Sequence, residues 1–375
     1  MQFRDLKRQY QVLKDDIDKA MLEVAAECNF ISGRQVKELE AELAEFAGVK
    51  HCVSCANGTD ALSLAAMALD IGPGDAVFVP DFTFFSTGEI VAFEGATPVF
   101  VDVDMDTFNI SPEHLEKMIK KTQDEGKLIP KAVIPVDLFG LPADYVQIRK
   151  IAEKYGLRII EDGAQGFGGS LAGKRACSFG DISTTSFFPA KPLGCYGDGG
   201  AVFTDDDELA SLLESLRIHG KGTMKYDNIR IGMNSRLDTI QAAVLKVKLK
   251  AFREYELDGV NRAAEKYTEL LKGRVKTPVV PEGFYSSWAQ YTLQLESREQ
   301  RDGLQAALKE SSIPSMIYYP KPMHRQQAFA DLHCDDAEYG NTIRLCDTVL
   351  SLPMHPYMED EDVEKVAAEV LKWLK

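Results

Sequence analysis

No apolar run in this sequence approaches the ~20 residues needed to cross a bilayer as a helix. The opening MQFRDLKRQYQ is charged and lacks the apolar h-region of a secretory signal. Both absences point to a cytoplasmic chain with no membrane partner. Positive charge is also scarce: 43 Lys and Arg stand against 58 Asp and Glu, a formal net charge of -15. Such a balance disfavours nucleic acid or an anionic lipid surface as partner, while leaving room for a local basic pocket. The seven cysteines are odd in number and scattered. A disulfide framework would need pairs and an oxidising compartment. Cys52 and Cys55 form a CxxC, but neither a second CxxC nor a His cluster follows, so a metal site is not expected. Internal repeats and low-complexity linkers are missing too. What remains is 375 residues, 45% of them hydrophobic, enough for one large domain and a smaller one.

The first 47 residues read as two amphipathic helices broken near FISGR, at Gly33. From residue 51 the pattern alternates. HCVSC, DAVFVP, TPVFVDV, AVIPV and LRIIED are expected strands, with TDALSLAAMAL, STGEIVAFEG and ADYVQIRKIAEKYG as helices between them. ISTTSFF and AVFTD add two more strands. Alternation of this kind implies an α/β fold with a mostly parallel central sheet flanked by helices. A long helix begins at Arg236, RLDTIQAAVLKVKLKAFREYE, with Leu237, Ile240, Val244 and Val247 on one face. Beyond it, YTLQL, EQRDGLQAALKES and EDEDVEKVAAEVLKWL predict a smaller α+β domain. The expected division is a large domain over 1–245, N-terminal helices included, and a C-terminal domain over 246–375.

Ligands of open α/β sheets bind beyond the carboxyl ends of the strands, and four motifs fall there. In ANGTDAL, Gly58 and Thr59 stand where a strand gives way to a helix, a place where free amides and a hydroxyl can hold an anion. A plain N-cap at Asn57 or Thr59 would explain the same residues. In IIEDGAQ, Asp162 ends an apolar strand and Gln165 follows three residues later. Asp162 as a helix cap is the ordinary alternative. In SFFPAKPLGCYGDGG, Ser186 ends a strand and Lys191 sits between Pro189 and Pro192 before a glycine-rich loop. A lysine snorkelling to solvent is the alternative there. In DFTFFST, Phe84 is either a stacking face or a core aromatic.

Each motif alone is weak, but together they describe one chemistry. A phosphate cradle, a strand-end Asp, a stacking aromatic and a loop lysine are what pyridoxal 5′-phosphate requires. The lysine amine joins the aldehyde carbon, the Asp keeps the pyridine nitrogen protonated, and Thr59 and Ser186 hold the phosphate.

At this point the sequence resembles the nucleotide-sugar aminotransferases of the DegT/StrS type, with fold-type I architecture. The resemblance runs from FRDLKRQY through FISGRQVKELE, CANGTDAL, PDFTFFST, PVDLFG and EDGAQGFG to SLPMHPY. It implies Lys191 as the cofactor lysine, Asp162 as the pyridine partner and Gln165 beside the ring. It implies Gly58, Thr59 and Ser186 at the phosphate and Phe84 over the ring. GMNSRLDT resembles the stretch that crosses a homodimer interface, where Asn234 would reach the partner's cofactor phosphate and His219 would pack nearby. The family's reaction takes L-glutamate as amino donor and a keto sugar nucleotide as acceptor. The motifs look most like the branch that aminates UDP-2-acetamido-2-deoxy-3-keto-glucuronate for surface-polysaccharide (O-antigen) synthesis. Arg236 would then meet the sugar carboxylate, with Tyr318, Tyr319 and His324 as further sugar or phosphate contacts. Asp137 and Tyr318 stand where many members have His, near the expected sugar site, so the substrate is the open question. A neutral 3-keto or 4-keto deoxy sugar is the alternative acceptor. A non-catalytic sensor on the same fold is the alternative class, disfavoured by the presence of both Lys191 and Asp162.

Overall fold

The computed structural model describes residues 1–224 and 226–375. Its strands, in chain order, are β1 (His51–Cys55), β2 (Asp75–Pro80), β3 (Thr97–Val101), β4 (Ile129–Val133), β5 (Arg158–Asp162), β6 (Ser170–Leu171), β7 (Lys174–Arg175), β8 (Ile182–Ser186), β9 (Gly200–Thr204), β10 (Phe284–Tyr285), β11 (Tyr291–Gln294) and β12 (Val349–Leu352). Seven of these form the central sheet, in the order β1-β9-β8-β5-β4-β2-β3. Strand β9 pairs antiparallel with both β1 and β8, while the pairings from β8 to β3 are parallel. The expected mostly parallel α/β sheet is therefore present, with β9 as its single reversed strand. Two short antiparallel sheets, β10-β6-β7 and β11-β12, lie outside it.

The helices before the sheet are α1 (Leu6–Glu27) and α2 (Arg34–Ala47). Gly33, the N-cap of α2, stands where a side chain has no room: a Cβ there would lie 2.6 Å from Thr239 Cγ2. Its own N–H donates to Thr239 Oγ1 at 3.1 Å, so the break docks onto a later helix. Against the sheet pack α3 (Gly58–Ala68), α4 (Ser86–Phe93), α5 (Pro112–Glu125), α6 (Tyr145–Tyr155) and α7 (Asp207–Leu216). Helix α5 is absent from the expected elements, although Ser111 caps it by accepting from His114 N–H and Pro112 opens it.

Side chains alternate across a strand, and β5 uses this to place the site. Ile159 belongs to the cluster beneath α5 and α6, with Leu115, Ile119 and Ile148. Ile160 belongs to the opposite cluster, with Leu62, Leu64 and Ile90 from α3 and α4. Asp162, two residues on, shares the α3 and α4 face.

The long C-terminal helix begins three residues later than expected, as α8 (Thr239–Ala251). It passes through one π-helical turn, Phe252–Glu256, into α9 (Leu257–Leu271). Residue 246, the expected domain boundary, lies inside α8. One core holds side chains from both sides of it, Leu43, Phe203, Leu245, Tyr267, Leu293 and Val366 among them. Helices α10 (Arg298–Glu310), α11 (Gly340–Thr348) and α12 (Asp360–Trp373) complete the chain. Among the described residues no helix is long and apolar enough to cross a membrane.

His355, in the motif SLPMHPY, is 5% exposed, and its Nδ1 has no hydrogen-bond partner among the described residues. Desolvation pushes its pKa down to about 4, so the folded state resists a proton that the unfolded chain accepts near its ordinary value. Stability from this residue is present above the unfolded pKa and is lost as the pH falls toward the folded one. The loss amounts to roughly 3 kcal/mol over that window. Denaturant titrations at falling pH should show a smaller drop in midpoint for His355→Gln than for the wild-type chain over the same interval.

Candidate active site

Helix α3 sets the first wall of the site. Asn57 caps it, its Oδ1 accepting from Asp60 N–H at 2.8 Å, so the ordinary cap and the anion cradle share one turn. The helix can sit against the end of β8 because Gly58 has no side chain: a Cβ would lie 2.6 Å from Ser186 Cβ. Gly200, at the start of β9, is constrained in the same way, with Asn57 O 2.4 Å from where its Cβ would be. The Thr59 and Ser86 hydroxyls hydrogen-bond at 2.9 Å. The free amides of this helix start share the cavity with the Thr59, Ser86 and Ser186 hydroxyls, groups of the kind that can hold an anion.

Asp162 stands at the end of β5, buried. Its Oδ2 accepts from Thr87 Oγ1 at 2.9 Å and its Oδ1 from Ala164 N–H at 3.2 Å. Burial raises its pKa; Lys191 and these two donors oppose the rise. Turns, not a helix, follow Asp162, so its carboxylate caps no helix. Gln165 Oε1 accepts from Phe139 N–H at 3.0 Å, and its Nε2 donates to Tyr319 Oη at 3.1 Å.

Lys191 leaves the β8 side on a loop whose backbone closes on itself, its N–H donating to Phe188 O at 2.8 Å. The side chain does not snorkel out: it lines a cavity of about 690 Å³ shared with Gly58, Thr59, Phe84, Ser86, Asp162, Gln165, Ser186, Tyr318 and Tyr319. Burial lowers the Lys191 pKa; Asp162 opposes this and Arg4 reinforces it. Among the described residues no ion pair joins Lys191 to Asp162. Phe84 is 55% exposed and Phe188 52%, apolar surfaces at the rim and not core aromatics.

Other expected site residues lie elsewhere. Asn234 is exposed and bridges Ile218, and Arg236 is half-buried; neither lines this cavity. His324 does not line it either. The strand-end carboxylate of Asp81 takes its Nδ1 at 2.6 Å, and Asp336 takes its Nε2 at 2.9 Å, so both ring nitrogens are spent. Asp137 is fully buried behind the cavity wall, accepting from Tyr145 Oη at 2.8 Å and Ala143 N–H at 3.0 Å. Only Tyr318, of the two departures from the family pattern, faces the cavity.

Several lining or supporting residues escaped the sequence reading. Ser86 and Thr87 open the helix STGEIVAF, and two adjacent hydroxyls at the start of an apolar helix are a usable signal. Lys321 lines the cavity beside Tyr319. Gln290 also lines it, and its buried Oε1 has no partner among the described residues. Nothing local in SSWAQYTLQL marks it.

At the strand ends of this α/β sheet a lysine, a buried carboxylate and the free amides of a helix start meet in one cavity. The chain belongs to the DegT/DnrJ/EryC1/StrS aminotransferase family, whose family model matches residues 11–371. It is 45% identical over 368 residues to the UDP-2-acetamido-2-deoxy-3-oxo-D-glucuronate aminotransferase of Pseudomonas aeruginosa, covering 98% of this chain and 99% of that one. It is 43% identical over 374 residues to the UDP-N-acetyl-3-dehydro-alpha-D-glucosamine 3-aminotransferase of Acidithiobacillus ferrooxidans, covering 99% and 97%. Among solved structures, a DegT DnrJ EryC1 StrS aminotransferase from Brucella abortus superposes with a TM-score of 0.96 at 50% identity, covering 99% of this chain and 98% of that one. NtdA of Bacillus subtilis with bound cofactor PMP superposes with a TM-score of 0.87 at 28% identity, covering 96% and 82%.

Gly58→Ala should push α3 off Ser186 and spoil the anion cradle. Calorimetry with pyridoxal 5′-phosphate should show at least about tenfold weaker binding, or ~1.4 kcal/mol. Unchanged affinity would place the anion elsewhere.

Proposed function

We propose that this aminotransferase carries pyridoxal 5′-phosphate on Lys191. It moves an amino group from L-glutamate to the keto carbon of a UDP-linked sugar, UDP-2-acetamido-2-deoxy-3-keto-glucuronate. The observation that carries the reading is the meeting of Lys191, Asp162 and the start of α3 in one cavity. The pieces fit the cofactor: a cradle that a single Cβ would fill, a buried carboxylate and a buried lysine in the same cavity. When bound, the cofactor supplies an aldehyde that exchanges amines and a ring that takes up the electron pair left at a deprotonated carbon.

The chain's own groups do the rest. The amides of α3 with Thr59, Ser86 and Ser186 hold the phosphate. Asp162, fixed by Thr87 and Ala164, would favour a proton on the ring nitrogen of the bound cofactor. Phe84 gives the ring a flat apolar face. Burial lowers the pKa of Lys191, which favours its unprotonated amine, and with the cofactor bound that amine would take the proton from the donor α-carbon. It returns a proton when the sugar is the acceptor.

The uronic acid is supported by the likeness to the Pseudomonas aeruginosa enzyme across the whole chain. A neutral 3-keto UDP sugar is the second reading, favoured by nearly equal identity to the Acidithiobacillus ferrooxidans enzyme. In either case the product is an amino sugar for surface polysaccharide. Asn234 and Arg236 lie outside this chain's own cavity, and we assign them to the cavity of a second copy in a homodimer. There Arg236 meets the sugar carboxylate as a bidentate pair.

Borohydride treatment of the holoenzyme should fix the cofactor to one peptide, the one containing Lys191, and Lys191→Ala should not turn over. Labelling of another lysine would overturn the assignment. With the amino form of the cofactor loaded, the 3-keto uronic acid should restore the starting spectrum faster than its 6-hydroxy counterpart. Equal rates on both would remove the uronic acid and leave the aminotransferase reading intact.

A further inference from the structure

The opening motif FRDLKRQY is part of the family likeness, yet nothing above gives it work to do. It runs behind the loop that carries Lys191. Phe3 O accepts from Met354 N–H at 3.1 Å, and the Phe3 ring meets Tyr318 edge-on with centroids 6.2 Å apart. Between Phe3 and the α1 cap at Asp5 stands Arg4. Its Nη2 donates to Pro192 O at 3.1 Å, the carbonyl one residue beyond Lys191. A second cation grips the same loop two residues later. Lys248, 1% exposed in α8, donates to Gly194 O and lies over the Tyr196 ring, 5.2 Å from its centroid.

Both cations have been taken largely out of water, which costs free energy unless it is returned by partners. The return comes from Glu256 in the π-helical turn. It is buried and accepts from Gln9 Nε2 at 2.8 Å and Tyr357 Oη at 2.5 Å. Burial pushes the Arg4 pKa down to about 10 and that of Lys248 to about 8, with Glu256 opposing the fall in each. Arg4 therefore stays charged at neutral pH.

We propose that Arg4 is a positioning residue for Lys191. From the N-terminal arm it holds the Pro192 carbonyl and sets a fixed positive charge on the side of the loop away from the cavity. The proposal rests on Lys191 being the cofactor lysine. Two charges act on Lys191: Asp162 from β5, which favours its ammonium, and Arg4, which disfavours it. Behind Arg4 stands Glu256; Lys248 answers to Glu256, Arg4 and Cys195. Lys191 adds to an aldehyde, with loss of water, only when its nitrogen lone pair is free of a proton. A neighbouring cation keeps it free at lower pH. Arg4 thus balances the very carboxylate that the cofactor ring needs.

The test mixes cofactor-free protein with pyridoxal 5′-phosphate and follows covalent attachment by its absorbance change across pH. Arg4→Gln keeps a donor for Pro192 O and removes the charge. Its rate profile should move to higher pH, with attachment at neutral pH roughly three- to tenfold slower. Arg4→Lys keeps the charge and should retain the wild-type midpoint. A merely structural role would lower stability in both variants without moving the midpoint of either. Identical midpoints in wild type and Arg4→Gln would overturn the proposal. Should Arg4→Gln fail to fold, Arg4→Met decides: it also removes the charge, so a midpoint moved to higher pH supports the proposal and an unmoved one overturns it. Lys191→Ala separates this idea from its premise. Attachment at the wild-type rate in that variant would defeat the cofactor-lysine assignment itself, whatever Arg4 does.

Discussion

The structure is organised around two opposite charges that act on each other without touching. Asp162 and Lys191 share one cavity, and each shifts the other's protonation, yet no ion pair forms between them. A direct pair would satisfy both groups and close the space between them. Their separation is held from behind. Thr87 and Ala164 restrain the carboxylate, while Arg4 and Lys248 restrain the loop that bears the amine. The sheet supplies the geometry, since the carboxyl ends of β5 and β8 lie side by side in the same direction.

Much of this was legible in the sequence because its signals are local. Apolar β5 with an acid at its end, and the proline-framed lysine after β8, carry their meaning within a few residues. Glycines at 58 and 200 announce a close approach that the packing then requires. What stayed hidden depends on distant partners. His324 looked available in YYPKPMH, but its two nitrogens belong to Asp81, 243 positions earlier, and to Asp336. Asp137 looked like part of the substrate site, yet Tyr145 and the backbone of Ala143 turn its carboxylate into the wall. Gln290 joins the cavity through tertiary placement alone.

The buried polar groups around the site divide by purpose. Glu161 lies one residue from Asp162 on the other face of β5, and it is consumed by backbone amides of Cys177 and Phe179 and by Ser183 Oγ. It stitches the segment after β7 to the sheet. Asp162, with fewer donors, keeps lone-pair capacity facing the cavity. Neighbouring acids of one strand thus meet different surroundings, one the backbone and one the cavity, by alternation alone.

The helical run from Thr239 to Leu271 has a mechanical consequence. Its one irregular turn is pinned by Glu256, so the rod behaves as a beam that crosses both halves of the molecule and is embedded in their common core. Bending this beam would separate side chains that pack together from both of its ends, Leu245 and Tyr267 among them. Phe84 and Phe188, exposed at the cavity rim, lie outside that core, so their side chains can turn without disturbing it.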